Sequence, residues 1–372
     1  MNHVKKFWFF FALCVVVIPF AVYYFQQKAE ILSIYAQLDQ SPNPQQRILT
    51  PKDDQKIIRI LSINGGGVRG IIPSHVLKYL EESSGKPVNE LFDFFMGTST
   101  GAIASVLLTL PGENNRPRYT AEDLLNFYNR DAKKIFYNPW YHRILTLDGW
   151  IGPKYLASSR YDLLKHFLGD TYFDQLLNNV VIPTYGIYNK EPELFFNWKI
   201  QGVADTNFAV TDLLTGAISP PGMFPSVVFG SSGKKFVLAD GALFANNPDL
   251  AATLIAMSTY PNKQYILVSL GTGRIISEIP STKTVDWGLF QWAKNIVPAI
   301  VDSTMKFNNF ILRKAFPFNL DVYSFNMDID FADSALDDTS EQNIRRLNQD
   351  GKDLVLERKR ELDELVAKLI HP

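Results

Sequence analysis

Short apolar runs alternate with helical stretches through most of the chain. The runs that predict strands are 57–63, 91–96, 180–188, 193–198, 236–239 and 265–270. The stretches that predict helices between them are 71–83, 101–110, 120–134 and 247–257. This alternation favours a three-layer α/β/α fold, in which helices cover both faces of a mostly parallel central sheet. Ligands of such sheets bind beyond the carboxyl ends of the strands.

The amino terminus carries one long apolar run. Residues 7–25 contain no charged side chain and follow Lys5 and Lys6. The run approaches the ~20 residues that a helix needs to cross a bilayer, and it is longer than the apolar part of an ordinary cleaved signal peptide. We therefore expect residues 1–28 to form an uncleaved signal-anchor, a single transmembrane helix. The two lysines before the run, against Lys28 after it, predict that the rest of the chain lies on the non-cytoplasmic side.

The remaining chain divides into a linker and one domain. Residues 29–56 are polar and contain several prolines, which is typical of a linker. The domain then occupies residues 57–372, with its candidate motifs between residues 65 and 242. Its carboxyl-terminal part, residues 284–372, is predicted to be largely helical, and Thr339 with Gln342 fits the capping box of a helix in that part.

Composition excludes several classes of protein. An apolar content of 46% rules out intrinsic disorder, and a mean hydropathy of -0.05 rules out a polytopic membrane protein. The net charge of -1 leaves no basic excess, so we expect no nucleic-acid partner. Cys14 is the single cysteine, which excludes an intramolecular disulfide and a thiolate metal cluster. No group of carboxylates or histidines has ligand spacing, and we expect neither a metal nor another cofactor.

The segment Gly97-Thr98-Ser99-Thr100-Gly101 follows one predicted strand and precedes a predicted helix. A G-x-S-x-G at such a turn is typical of a nucleophile elbow, in which glycines permit a sharp turn and the serine hydroxyl projects above the sheet. The free amides and the positive dipole end of the helix then lie beneath the serine. Ser99 is therefore a candidate nucleophile, and the alternative is an ordinary glycine–serine turn that closes a strand.

A glycine segment follows the first predicted strand and opens a helix. It consists of Gly65, Gly66, Gly67, Val68, Arg69 and Gly70. Successive amides at such a place form an anion site. The segment also fits the dinucleotide pattern G-x-G-x-x-G, but the acidic residue expected ~20 positions later falls on a predicted helix and not at a strand end. The better interpretation is an oxyanion hole facing an intermediate at Ser99, with a plain tight turn as the alternative.

A serine nucleophile needs a base, and histidine supplies one poorly in this chain. The usual order of serine, acid and histidine leaves only His371, which is the penultimate residue. A carboxylate on a loop just past a strand end can instead accept the serine proton directly. The segment Asp240-Gly241-Ala242 follows the predicted strand 236–239 and meets that description, although an isolated Asp-Gly is more often a turn.

Together these three motifs resemble the patatin-like phospholipase family, which combines G-G-G-x-R-G, G-x-S-x-G and D-G-A/G. Further shared segments are 153–155, 217–221, 224–225, 269–273 and 336–338. The resemblance implies a patatin-like fold and a Ser-Asp dyad, with Ser99 as nucleophile, Asp240 as general base and the glycine segment as oxyanion hole. It also implies hydrolysis of lipid acyl esters through an acyl-serine. Pro220-Pro221 departs from the family pattern and affects the expected shape of the acyl pocket.

Three functions remain open at this point. The first is a membrane-associated serine hydrolase whose substrate is a lipid ester. The second is an enzyme that binds a dinucleotide at the glycine segment. The third is a non-catalytic, membrane-tethered lipid-binding protein on the patatin scaffold, since a fold does not fix a function. The aromatic residues within 136–141 and 150–151 line an acyl channel, contact a membrane or belong to the core.

Overall fold

The structure is a computed structural model. It describes residues 55–200, 207–231, 234–275, 286–288, 292, 296–315, 319–329 and 335–371, together with 22–23, 25–26, 28–29 and 47–49. Most of the expected anchor and linker therefore lie outside the described residues. In the described part of the chain, no helix combines the length and the apolar character needed to cross a bilayer.

A mixed β-sheet forms the centre of the domain. Its strands are β1 Ile57–Ile63, β2 Phe94–Gly97, β3 Asn179–Gly186, β4 Glu191–Phe196, β5 Val227–Ser231, β6 Lys234–Asp240, β7 Gln264–Leu270 and β9 Leu320–Phe325. The short strands β8 Arg274–Ile275 and β10 Asp328–Ile329 pair with each other in parallel.

The sheet joins a parallel block to antiparallel strands. The order is β5-β6-β3-β2-β1-β7-β9, and β4 also pairs with β3. The strands β3, β2, β1, β7 and β9 pair in parallel, as predicted. The expectation of a mostly parallel sheet is wrong for β4, β5 and β6, which join by antiparallel pairing. The connection from β3 to β4 spans only residues 187–190, which is too short for the crossover of about a dozen residues that parallel strands require.

α-Helices surround the sheet in the part of the chain that the structure describes. They are α1 Ile71–Ser84, α2 Val88–Leu91, α3 Thr100–Leu107, α4 Ala121–Asn126, α5 Ala132–Ile135, α6 Trp140–Leu145, α7 Ala157–Leu168, α8 Val210–Ala217, α9 Ala242–Ala245, α10 Asp249–Thr259, α11 Ile296–Ala315, α12 Glu341–Glu357 and α13 Lys359–Ile370. Short 3₁₀-helices lie at Gly67–Gly70, Glu113–Asn115 and Phe173–Gln175, and a π-helix occupies Phe127–Asp131.

Each face of the sheet has its own hydrophobic core. Leu61 and Phe95 belong to the larger core, whereas their neighbours Ile60 and Phe94 belong to the smaller one, because successive side chains of a strand point to opposite faces. Buried residues of α1, α3, α8, α12 and α13 fill the larger core, and residues of α10 and α11 fill the smaller one. The helices therefore lie on both faces, as the three-layer prediction requires.

The strand ends that carry the motifs lie side by side. Ile63 at the end of β1 is in register with Gly97 at the end of β2, and the amide of Thr98 donates to the carbonyl of Ile63 at 3.1 Å. On the other side of β1, the amide of Asn64 donates to the carbonyl of Leu270 at 3.0 Å. The glycine segment and the serine motif therefore emerge together at one edge of the sheet.

Candidate active site

Ser99 occupies a sharp turn between β2 and α3. Its backbone has φ 54 and ψ -116, a conformation that side chains rarely adopt and that the surrounding structure must hold in place. Two glycines make the turn possible. A Cβ on Gly97 would overlap the carbonyl of Gly101, and a Cβ on Gly101 would overlap the carbonyl of Ile63. The predicted strand–elbow–helix geometry is therefore present.

Two threonines fasten the elbow to its neighbours. The hydroxyl of Thr98 donates to the carbonyl of Ala245 at 2.5 Å, in the helix that follows Asp240. The hydroxyl of Thr100 donates to the phenol oxygen of Tyr128 at 2.5 Å, and that phenol donates to the carbonyl of Thr100 at 2.9 Å. The backbone on both sides of Ser99 is thus held by side-chain hydrogen bonds.

Asp240 stands at the carboxyl end of β6 and is 1% exposed. Its amide donates to the carbonyl of Ser219 at 3.0 Å, and its Oδ1 accepts from the amide of Ala242 at 2.8 Å. Gly241 is required here because a Cβ would overlap the carbonyl of Pro183. Within the described residues, Oδ2 of Asp240 has no partner at ordinary hydrogen-bond geometry. One carboxylate oxygen therefore fixes the side chain and the other is available.

Burial raises the pKa of Asp240 to about 6. The hydroxyl of Ser99, the amide of Ala242 and the charge of Arg160 act in the opposite direction, and each favours the ionised form. The hydroxyl of Ser99 is therefore near enough to influence the carboxyl, without a hydrogen bond of ordinary geometry to Oδ2. A carboxylate with this pKa is mostly ionised at neutral pH and is more basic than an exposed one, which is suitable for a general base.

The glycine segment forms a turn of 3₁₀-helix beside the elbow. A Cβ on Gly65 would lie 3.4 Å from Cβ of Ser99, and one on Gly70 would lie 2.6 Å from Oγ1 of Thr100. Gly67 has φ 57, which favours glycine, and it packs against the carbonyl of Leu336. The absence of side chains therefore lets this backbone approach Ser99 closely.

Only part of the segment has amides free to bind an oxyanion. The amide of Gly65 donates to the carbonyl of Asn246 at 2.9 Å, that of Val68 to Leu336 at 2.9 Å and that of Arg69 to Gly66 at 3.1 Å. Within the described residues, the amides of Gly66 and Gly67 donate to no acceptor. Carbonyl oxygens therefore engage the amides of Gly65, Val68 and Arg69, which leaves those of Gly66 and Gly67 as candidate donors to an oxyanion.

Arg69 is buried, and its side chain serves the loop. Its Nε donates to the carbonyl of Gly66 at 3.4 Å, and burial lowers the pKa of its guanidinium to about 10, so it remains charged at neutral pH. A positive charge beneath the glycine backbone adds to the field of the free amides and favours a negative charge at their position.

Arg160 in α7 is a site residue that sequence reasoning missed. It is 1% exposed, and its Nη1 donates to the hydroxyl of Ser219 at 2.8 Å and to the carbonyl of Ile218 at 3.2 Å. Its guanidinium also lies 4.4 Å from the ring centre of Phe224. Because Ser219 holds the backbone of Asp240, Arg160 supports the carboxylate through its loop and through its charge. An arginine within a helical pattern gives no signal of this role.

Residues 336–338 cross over the glycine segment. Leu336 accepts the amide of Val68, while the carboxylate of Asp337 accepts from Lys154 Nζ and from the phenol of Tyr155, both at 2.6 Å. Two of the shared segments of the family, 153–155 and 336–338, thus meet beside the site. Their spacing in sequence gives no indication of this contact.

Two of the described histidines have other partners. His75 contacts Asn348 at 3.0 Å, and His142 contacts the carbonyl of Pro153 at 3.0 Å. Among the residues that the structure describes, no group of three His, Cys, Asp or Glu side chains is arranged to hold a metal ion. The titratable group whose pKa the hydroxyl of Ser99 influences is Asp240.

The fold and the site define an α/β protein that presents a serine at a strand–helix elbow next to a buried carboxylate. The family model for patatin-like phospholipase matches residues 61–253. The chain is similar to Patatin-like protein 2 of Oryza sativa subsp. indica, with 34% identity over 271 residues, which is 64% of this chain and 66% of that protein. It is similar to Patatin-like protein 1 of Arabidopsis thaliana, with 33% identity over 273 residues, 65% and 66% of the two chains.

Patatin-03 of Solanum tuberosum is similar over a longer stretch, with 30% identity over 337 residues, which is 81% of this chain and 84% of that protein. The chain therefore belongs to the patatin-like phospholipase family. The match spans just under two thirds of the length of the rice and Arabidopsis relatives.

Proposed function

We propose that this chain is a membrane-associated serine hydrolase that cleaves acyl ester bonds of phospholipids or related lipids. The family supports a lipid ester as the substrate class. The observation that carries the proposal is the state of Asp240, a buried carboxylate beside Ser99 with one oxygen fixed and the other unengaged among the described residues.

The proposed reaction has two halves. Oγ of Ser99 attacks the ester carbonyl carbon while its proton passes to Oδ2 of Asp240, and the amides of Gly66 and Gly67 bind the resulting oxyanion. Collapse of this intermediate expels the alcohol, which takes the proton from Asp240 and leaves an acyl-serine. Asp240 then removes a proton from water, whose oxygen attacks the acyl carbon. Collapse of this second intermediate breaks the bond to Oγ of Ser99, which takes the proton back from Asp240, and the fatty acid leaves.

Labelling with a fluorophosphonate, followed by peptide mapping, tests this assignment. We expect the label on Ser99, no label in Ser99→Ala, and a loss of at least about 100-fold in labelling rate in Asp240→Asn. Ser105→Ala is a matched control because Ser105 is a fully buried serine of α3, the helix that follows Ser99. Asp212→Asn is a second control, since burial also raises the pKa of Asp212 to about 7 but it contacts Tyr161.

Retained labelling in Asp240→Asn would refute the Ser-Asp dyad. Complete absence of labelling in a folded chain would favour the alternative, a non-catalytic, membrane-tethered lipid-binding protein on the patatin scaffold. The dinucleotide hypothesis has less support, because β2, the next strand along the chain, ends at the serine elbow and offers no carboxylate there. A thermal shift with saturating dinucleotide would restore it.

We also propose that residues 1–28 anchor the chain as a single-pass membrane protein with its catalytic domain on the non-cytoplasmic side. The uncharged run 7–25 and the preceding lysines support this orientation. A carboxyl-terminal tag should resist protease added to the cytoplasmic face of sealed vesicles. Its digestion there, without detergent, would contradict the orientation.

A further inference from the structure

An unusual concentration of exposed apolar side chains lies between β2 and β3, in residues 137–151, which we call the aromatic segment. Its exposed members are Tyr137, Trp140, Tyr141, Ile144, Leu147, Trp150 and Ile151, with exposures from 43% to 84%. A cluster of this kind on a folded domain marks an interaction surface, because large apolar groups are rarely left together in water.

We propose that the aromatic segment is a docking surface for a lipid bilayer that contains anionic lipids. This inference rests on the proposed function, to which it adds the means by which the domain meets its substrate. Tryptophan and tyrosine side chains, which have an apolar body and a polar edge, favour the boundary between acyl chains and headgroups. The segment carries two of each.

Charge supports a lipid surface as the occupant. Residues 130–154 contain five basic and two acidic side chains, whereas the whole chain has a net charge of -1. A cavity of about 730 Å³ opens beside the segment, and Lys133, Lys134 and His166 line it together with Tyr137 and Asp162. Basic groups bordering an apolar patch match the phosphates that border the acyl region of an anionic bilayer.

One residue of the amino-terminal apolar run contacts the aromatic segment. Tyr23, near the end of the apolar residues 7–25, contacts Tyr141 with ring centres 6.1 Å apart and hydrogen-bonds the ring of His142. If residues 7–25 cross a bilayer, Tyr23 lies at its surface, and the aromatic segment lies there too. The anchor and the segment then contact one membrane from adjacent positions.

The aromatic segment also borders residues 220–226, the loop between Ser219 and β5. Gly149 lies against Gly222, and the amides of Lys154 and Tyr155 donate to Gly222 and Met223 at 3.1 Å and 2.9 Å. This loop begins after Ser219, whose carbonyl holds the amide of Asp240. Contact with the bilayer would therefore bring lipid to the loop that supports the proposed base.

The first test measures the depth of the segment in the full-length chain held in lipid nanodiscs. Cys14→Ser removes the single cysteine, and Trp150→Cys then accepts an environment-sensitive NBD label. We expect a blue-shifted emission that lipids carrying nitroxide groups quench, stronger with phosphatidylglycerol than with phosphatidylcholine alone. Leu356→Cys is the control, because Leu356 is 72% exposed. It lies at the far end of α12, a helix about 25 Å long whose first residues are near the glycine segment.

The second test distinguishes an effect on membrane docking from an effect on catalysis. In the variant Trp140→Ser/Ile144→Ser/Trp150→Ser, we expect hydrolysis of bilayer lipid to fall at least about tenfold, while hydrolysis of a soluble short-chain ester stays unchanged. An NBD label at position 150 that remains in water, with equal loss on both substrates, would overturn the docking surface. Failure of the wild-type chain to cleave either ester would refute the proposed function alone, since the depth measurement needs no catalysis.

Discussion

Asp240 is the proposed base, and burial raises the pKa of its carboxyl. Its pKa of about 6 means that the carboxyl is neutral in more acidic solution and cannot accept the proton of Ser99. We expect the rate of phosphonate labelling to rise about tenfold per pH unit in acid and to level off above the pKa of this group. Measuring that rate between about pH 4.5 and pH 8 tests the assignment. A rate that is flat through this range would show that Asp240 isn't the titrating base.

The same carboxyl destabilises the fold when it is charged. Its pKa is raised from the ordinary value of 3.8 to about 6, so the folded state holds its proton more tightly than the unfolded state does. The resulting contribution to stability is present in acid and is lost as the pH rises through the folded-state pKa.

Asp240→Asn should therefore stabilise the protein while abolishing activity. At pH values above the pKa of Asp240 we expect a gain of roughly 2 kcal/mol in the free energy of unfolding, which shrinks as the pH falls toward 4. Urea denaturation at several pH values measures this difference. A gain that grows in acid would mean that the pKa of Asp240 is lowered by folding.

The glycines of the elbow are a second requirement at the scale of single residues. Gly97→Ala brings a methyl group onto the carbonyl of Gly101, so we expect a loss of about 3 kcal/mol in stability and loss of phosphonate labelling. Gly152→Ala is the matched control, because its Cβ would meet nothing nearer than Thr146 at 3.4 Å. Thermal unfolding of both variants should show a large shift for the first and almost none for the second.

At the scale of secondary-structure elements, α7 supports the end of β6. The charge of Arg160 lowers the pKa of Asp240, and its hydrogen bond to Ser219 orders the loop whose carbonyl binds the amide of Asp240. Arg160→Met should move the midpoint of the pH–rate profile to a higher pH and lower the plateau rate. Arg160→Lys retains the charge and should keep the midpoint closer to that of the wild-type protein. An unchanged midpoint of the pH–rate profile in Arg160→Met would show that Arg160 acts through packing alone.

Most elements follow from the periodicity of the sequence, and the errors occur where local signals are ambiguous. The predicted strand 91–96 begins only at Phe94, because Leu91 ends α2. The predicted helix 120–134 is interrupted by a π-helix. The expected capping box on Thr339 is wrong by one residue, since Ser340 caps α12 and its hydroxyl accepts from the amide of Asn343. Thr339 and Ser340 are adjacent hydroxyl residues, and either type can cap a helix, so the sequence alone does not select between them.

The residues of the candidate site also differ in how far the sequence predicts them. Ser99 and Asp240 carry local signals, because glycines and turn residues mark both strand ends in the sequence. The selection of Gly66 and Gly67 as the amides free to bind an oxyanion depends on acceptors at Asn246 and Leu336, which are far away along the chain. No short motif can predict which amides such distant carbonyls will occupy.

At the scale of the whole molecule, Arg59 joins the sheet to the carboxyl terminus. Its guanidinium binds both carboxylate oxygens of Asp93 at 3.0 Å and 3.1 Å and donates to the carbonyl of Leu369 in α13 at 3.1 Å. The side chain of Asp93 is 4% exposed. The pair therefore links β1, the start of β2 and the last helix.

Arg59→Met should destabilise the protein by roughly 3 kcal/mol, because it leaves the buried charge of Asp93 without its main compensation. The double variant Arg59→Met/Asp93→Asn should lose less than the two single variants together. Urea denaturation of the four proteins gives the coupling between the residues. Strict additivity would mean that the pair acts only through separate packing.

The hydrogen bond between Val68 and Leu336 joins an early segment to a late one. A ribosome delivers Ser99, Asp240 and the whole glycine segment well before it delivers residue 336. Until then, the backbone around Gly67 lacks the carbonyl against which it packs. The growing polypeptide consequently contains both members of the proposed dyad before the backbone of the glycine segment has its full set of contacts.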